Sequence, residues 1–298
     1  MNPLNQYAWA ITALTLIAGF LLLHSGWADY GSAFFVLFPC MVGFSIGTHD
    51  KRTRGMMSLL FGGLIFFGFL LAGALEGLVC VAMALPIFLI MMLIGYGFRR
   101  WLIPDSRQPK KPTDHLLVSL LPLLVLLLTN PIEQALLPEP EIVEIETSVL
   151  LPYPADLVFD QVKAMDKLDA EKPWGIWLGL PSPYRCILAA DTVGAQRHCL
   201  FKNGEIIAEI TRYEKGEVLE MDVVDYTLTG REWFQFQDAT YTFERVDGQT
   251  KITRTSSYKS TLHPRAYWQP LEGWGIQQEH DFVLASLRKN LGEISGQE

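Results

Sequence analysis

The residues of this chain best suited to chemistry are Arg197, Arg254 and His280, because each is expected on the inside of a fold otherwise lined with hydrocarbon. An unpaired charge in an apolar interior costs several kcal/mol, so each arginine must meet a carboxylate, water or an anionic ligand. One reading gives one or both the acidic head group of an amphipathic molecule, with apolar neighbours holding its body. The competing reading pairs them internally or places them at a rim. His280 sits on an apolar helical stripe and can be an acid/base group or a satisfied core histidine. His198 points out of the sheet. Neither GxSxG, HExxH nor GxxxxGK occurs, and Asp222 and Asp225 read as solvated strand-end charges. No Cys/His cluster has zinc spacing, so no metal and no cofactor is expected.

The arginines are placed by hairpin register. Asn203-Gly204, taken as a two-residue loop, sets Phe201 opposite Ile206, Cys199 opposite Ala208 and Arg197 opposite Ile210. Lys215-Gly216 sets Ile210 opposite Met221 and Ala208 opposite Val223. Asp247-Gly248 sets Phe243 opposite Ile252 and Tyr241 opposite Arg254. The shared face, Phe201, Ile206, Ile210, Met221, Val223, Tyr241, Phe243 and Ile252, is apolar and should point inward with the two arginines. Cys186 and Cys199 fall opposite each other across a turn near residues 191–194, where a disulfide is possible although directly opposed positions strain it. Trp174, Trp177, Tyr184, Trp233, Trp268 and Trp274 give loops and the last helix an unusual aromatic density. They suit a cavity mouth, a membrane interface or ordinary packing.

The elements that carry these residues follow from periodicity. Residues 142–150 alternate as a half-buried strand, and Pro154 opens a helix with Leu157, Val158, Val162 and Met165 as its apolar stripe. Six antiparallel strands follow, and a long helix from about Pro264 to Leu291 closes the chain. An α+β domain over residues 140–298, an antiparallel sheet with helices on one face, buries this pattern.

Residues 1–139 are written for a different solvent. Five apolar runs approach the length of a bilayer crossing, at residues 7–23, 31–48, 56–73, 77–98 and 116–137. Pro122 and Asn130-Pro131 weaken the fifth. Lys51, Arg52 and Arg54 follow the second run, and Arg99, Arg100, Arg107, Lys110 and Lys111 follow the fourth. Retention of positive charge then puts the amino terminus in the cytoplasm and the soluble domain outside the cytoplasmic membrane. Gly43/Gly47 and Gly73/Gly77 are small-residue spacings suited to close helix packing. The net charge of −8 hides an asymmetry, since residues 140–298 carry sixteen basic against twenty-five acidic side chains. Such a domain repels phosphate backbones, so nucleic acid is not an expected partner.

The element order, the opening strand followed by PADLVFDQV, the hairpin YTFERVDGQT and the closing HDFVLASLRKNL together resemble the START-like, or SRPBCC, superfamily with the helix-grip fold. That superfamily includes polyketide cyclases and dehydrases, lipid-transfer domains and pollen allergens. The resemblance implies a cavity between a curved sheet and the long carboxy-terminal helix. Arg197, Phe201, Ile210, Met221, Tyr241, Arg254, Tyr258, His280, Trp174, Trp177 and Trp233 would be its lining. The expected partners are the lipid bilayer and a hydrophobic or amphipathic small molecule, with lipids among the candidates. Two other functions stay open: a cyclase or dehydrase in which Arg254, Tyr258 or His280 polarises a carbonyl or moves a proton, and an interaction or sensor module without a ligand.

Overall fold

Each of the five apolar runs folds as helix over its described residues. A computed structural model describes residues 8–46, 52–72, 77–102, 112–228 and 233–295. It divides into two compact units, Met1–Glu139 with Leu262–Trp268, and Pro140–Thr261 with Gln269–Glu298.

The first unit contains α1 (Ala8–His24), a π-helical turn (Ala33–Leu37) continuing into α2 (Phe38–Ile46), α3 (Arg52–Ala72), α4 (Leu78–Leu102) and α5 (Pro112–Leu136). The expectation of five spans is corrected here. Among the described residues two helices, Gly55–Ala72 and Leu78–Leu102, are long and apolar enough to cross a membrane. The apolar stretches Trp9–His24, Ala33–Ile46 and Leu120–Leu136 are shorter. At about 1.5 Å per residue they reach roughly 20–26 Å, against a hydrocarbon core of about 30 Å. Lys51, Arg107, Lys110, Lys111, Gly47 and residues 73–76 lie outside the described residues.

Two devices hold these helices. A Cβ on Gly43 would overlap the Met92 carbonyl oxygen, and one on Gly95 would overlap that of Cys40. The backbones of α2 and α4 are therefore in direct contact, the use of small residues that lipid-facing helices favour. The second device is Glu133, whose carboxylate accepts the Ser32 and Ala33 amides, each at 2.7 Å, while Asn130 accepts that of Asp29 at 2.9 Å. A negative charge at a helix start meets both unsatisfied amides and the positive end of the dipole. Asn130-Pro131, expected to weaken the fifth run, does not break the helix. Pro131 lies inside α5, which runs on to Leu136 and brings Glu133 to this position. Phe34, Phe38, Phe66 and Phe88 fill the interior, and Trp268 packs edge-on against Phe35 at 4.6 Å between centroids.

The second unit follows the expected order: β1 (Val143–Leu151), α6 (Ala155–Lys163), a short α7 (Trp174–Trp177), β2 (Pro183–Leu188), β3 (Gln196–Phe201), β4 (Gly204–Glu214), β5 (Val218–Tyr226), β6 (Phe234–Val246), β7 (Gln249–Ser260) and α8 (Arg265–Ser295). The strands form one antiparallel, half-barrel sheet in the order β1-β7-β6-β5-β4-β3-β2. Tyr241 faces Arg254, Phe243 faces Ile252 and Ile210 faces Met221, as the turns predict. At Asp247-Gly248 both residues take positive φ, as a two-residue type I′ loop requires.

The β3–β4 register differs from expectation. Phe201 pairs with Gly204, so Lys202-Asn203 is the loop and Arg197 faces Ala208 instead of Ile210. Gly204 serves a close approach, since a Cβ there would lie 2.7 Å from Thr227 Oγ1 and 3.0 Å from the Thr227 carbonyl. The slip spans two positions, an even number, so every side chain keeps its face.

Replacing Gly43 with alanine should destabilise the protein although alanine is the better helix former, whereas Gly97→Ala, with nothing within 4 Å, should be neutral or stabilising by up to about 1 kcal/mol. Thermal unfolding of the two variants in detergent reads the opposite signs.

Candidate functional site: a polar cluster inside an apolar grip

The inward face of the sheet has a packed end and an open end. At the packed end Leu151, Phe159, Val162, Ile252, Leu287 and Leu291 are fully buried as β1, β7, α6 and α8 converge. At the other end the inward residues Ile145, Cys199, Ile206, Val223, Phe236 and Ala239 are only half-buried. The polar cluster lies between.

Its centre is Arg254 of β7. Nη2 donates to Glu279 Oε2 of α8 at 2.9 Å and Nη1 to Oε1 at 3.2 Å, while the guanidinium lies 5.5 Å over the Tyr241 ring. Burial pulls the Arg254 pKa down, but the Glu279 carboxylate and the Tyr241 oxygen outweigh it and the net shift is upward. The two side chains keep 12% and 20% of their surface accessible. A bidentate pair is also neutral overall. The arginine that seemed to call for an anionic ligand already has its anion.

Beside it, His280 is fully buried, with Nδ1 2.8 Å from Thr147 Oγ1 and Nε2 2.9 Å from Ser256 Oγ. Burial, and secondarily the Arg254 charge, push its pKa down to about 2, so it is a neutral imidazole. Thr147 also donates to Gln277 Oε1 at 3.1 Å. Further along β7, Tyr258 Oη and Ser260 Oγ donate to the two oxygens of buried Glu272, at 3.1 and 2.6 Å.

Arg197 shares the face but has a different task. Its Nη2 donates to the Val162 carbonyl at 3.0 Å and its Nε to that of Lys163 at 3.1 Å, the last carbonyls of α6. A cation there satisfies orphaned acceptors and meets the negative end of the helix dipole. Burial lowers its pKa, and Nη1 approaches the Met221 sulfur at 3.8 Å.

Of the other residues expected to line a cavity, Ile210, Met221, Tyr241 and Tyr258 are inside, and Phe201 is buried at the end of β3. Trp174 and Trp177 are not brought to the cluster. They stand 62% and 79% exposed on α7, with the Trp174 ring tilted against Trp274 at 4.5 Å between centroids. Trp233 stands before β6, 6.0 Å from Phe234. Cys186 and Cys199 are directly opposed and joined in a disulfide. Sequence reasoning overlooked Glu279 and Glu272. Both fall on the α8 stripe of Ile276 and Val283 at helical spacing, and an acidic residue within such a stripe was the available signal.

No protein-family model matches this sequence, and no curated protein matches it. The solved structures it resembles include a START superfamily protein from Mycobacterium smegmatis, at 10% identity over 51% of this chain and 98% of that one, TM-score 0.36. They also include TTHA0849 from Thermus thermophilus, at 13% identity over 51% and 99%, TM-score 0.37. DynU16 of the dynemicin biosynthetic locus shows 17% identity over 50% of this chain, TM-score 0.32; this chain spans about half of its length, 47%.

His280 makes stability depend on pH with a definite sign. Below pH 6.5 the unfolded chain gains a proton that the folded chain refuses until about pH 2, so stability is complete above 6.5 and falls as pH drops. Urea unfolding should find wild type about 2 kcal/mol less stable at pH 5 than at pH 7 through this residue, with that increment absent in His280→Gln. Arg197→Met, which keeps the stem but uncaps α6, should cost about 2–4 kcal/mol in the same assay at pH 7.

Proposed function

We propose that the carboxy-terminal domain is a START-like module, held at a membrane by the helical unit, that binds a neutral amphipathic small molecule between its sheet and α8. The observation that carries this reading is the Arg254–Glu279 pair, which keeps part of its surface accessible on the inward face of the sheet. A hydrocarbon body fits the half-buried wall of Ile145, Phe236 and Ala239. A hydroxyl or carbonyl can share hydrogen bonds with Arg254, Glu279 or Gln277 without adding charge. The acidic balance of the domain also disfavours an anion. Binding is supported over proton transfer because both His280 nitrogens are engaged by hydroxyls and its pKa lies far from neutrality.

The membrane part of the proposal rests on the two long apolar helices α3 and α4 and on Arg99 and Arg100 at the end of α4, which favour a cytoplasmic loop there. The domain is assigned to the outer face of the cytoplasmic membrane because a Cys186–Cys199 disulfide persists there.

Native mass spectrometry of the full chain released from detergent micelles tests the ligand. A bound neutral mass should be present in wild type and lost in Ala239→Phe, which fills the open end; a bare wild-type chain, or an adduct indifferent to the substitution, would sink the binding reading. Placement is tested by Val193→Cys, an exposed position, with a membrane-impermeant maleimide. Labelling in intact cells is expected, and labelling only after lysis would put the domain inside.

A further inference from the structure

β5 and β6 are neighbours for longer than they are paired. Their ladder covers Val218–Asp222 against Thr242–Asp238 and stops, although β5 continues to Tyr226 and β6 begins at Phe234. The last rung sets Asp222 directly opposite Asp238, and like charges opposed across strands disfavour pairing. A bulge falls on β6 at the same place, between Phe236 and Asp238, where Gln237 Nε2 turns back on the carbonyls of Gln235 and Phe236, each at 3.3 Å. At the far end Tyr226 Oη donates to the Phe234 carbonyl and spans the gap. Two strands tied at both ends but parted between them leave a slot in the sheet. It is open, has a volume of about 220 Å³ and is lined by Val223, Val224, Asp225, Tyr226, Gln235, Phe236 and Gln237.

Residues of both faces of the sheet line the slot. Val224 and Asp225 are exposed on its outer side, whereas Val223 and Phe236 are half-buried on the inner. The next inward residue on β6 is Ala239, which faces Ser256, and Ser256 holds His280 beside the Arg254–Glu279 pair. The volume is below the roughly 300–1,000 Å³ of pockets that hold a whole drug-sized ligand, and suits a chain passing through.

We infer that the split between β5 and β6 is the passage by which a neutral, chain-like amphipath reaches the interior, an inference that rests on the binding reading above. The rim selects for charge as well as shape. Asp225 lines the slot, and Asp222 and Asp238 close the ladder at one end of it, so a long-chain alcohol passes where the matching carboxylate is repelled.

The test uses the full chain in detergent and a long-chain alcohol bearing a diazirine, photolysed after brief mixing, with adducts located by mass spectrometry. Adducts are expected on Val223 or Phe236 and on Ala239 or Ile145, with at least fivefold fewer from the matching carboxylic acid. Val224→Trp, which plugs the outer side, should lower interior adducts at least fivefold, and Val224→Ala should raise them. Interior adducts that are unchanged in both variants, or accompanied by surface adducts only at Trp174 and Trp177, overturn the passage and leave the binding site standing. An absence of interior adducts in wild type overturns the binding reading and the passage with it.

Discussion

The bidentate contact between Arg254 and Glu279 fixes where the last helix lies on the sheet. It is the one ion pair with both partners largely buried among those described between β7 and α8, and it joins the middle of each. With it in place His280 falls between Thr147 and Ser256, and Glu272, about two turns earlier on the same helical face, reaches Tyr258 and Ser260. A buried ion pair of this kind adds little net stability compared with hydrocarbon, because desolvation offsets attraction. What it does supply is geometry, since two parallel hydrogen bonds tolerate little sliding or rotation. The grip is therefore set by a contact whose value lies in its direction.

The two arginines illustrate how similar signals separate into different tasks. Both project from inward positions of the same sheet, and both would be expensive if left alone. Arg197 answers the carbonyls at the end of α6 and so completes a helix. Arg254 answers a carboxylate and keeps part of its surface accessible in the interior.

Much of the sheet was legible because hairpins are local. Asp247-Gly248 fixes Tyr241 against Arg254 within fourteen residues of chain, and alternation does the rest. Gly204 was misread because a glycine needed for close approach to Thr227 looks, in sequence, like one needed for a turn. Glu279 was invisible as a partner because its contact depends on how a helix lies across strands, a relation no spacing encodes. The helical unit was misjudged in two ways for related reasons. The apolar stretches Trp9–His24, Ala33–Ile46 and Leu120–Leu136 fall short of a crossing although the runs that contain them look long enough in sequence, and Glu133 was passed over inside an apolar stretch although it caps the start of another helix. The exposed indoles of Trp174 and Trp177 had no register to place them, being in a loop bounded by proline and glycine.

The division of the grip into a packed end and an open end has an evolutionary consequence. Residues such as Phe159, Ile252 and Leu287, which touch many neighbours at full burial, carry the cost of almost any substitution. Ile145, Val223, Phe236 and Ala239 are half-solvated and can change size or polarity at a fraction of that cost. Foldability and tolerance of change are thus written in different residues of the same strands. A lineage can therefore drift in size and polarity at the open end without crossing an unfolded intermediate.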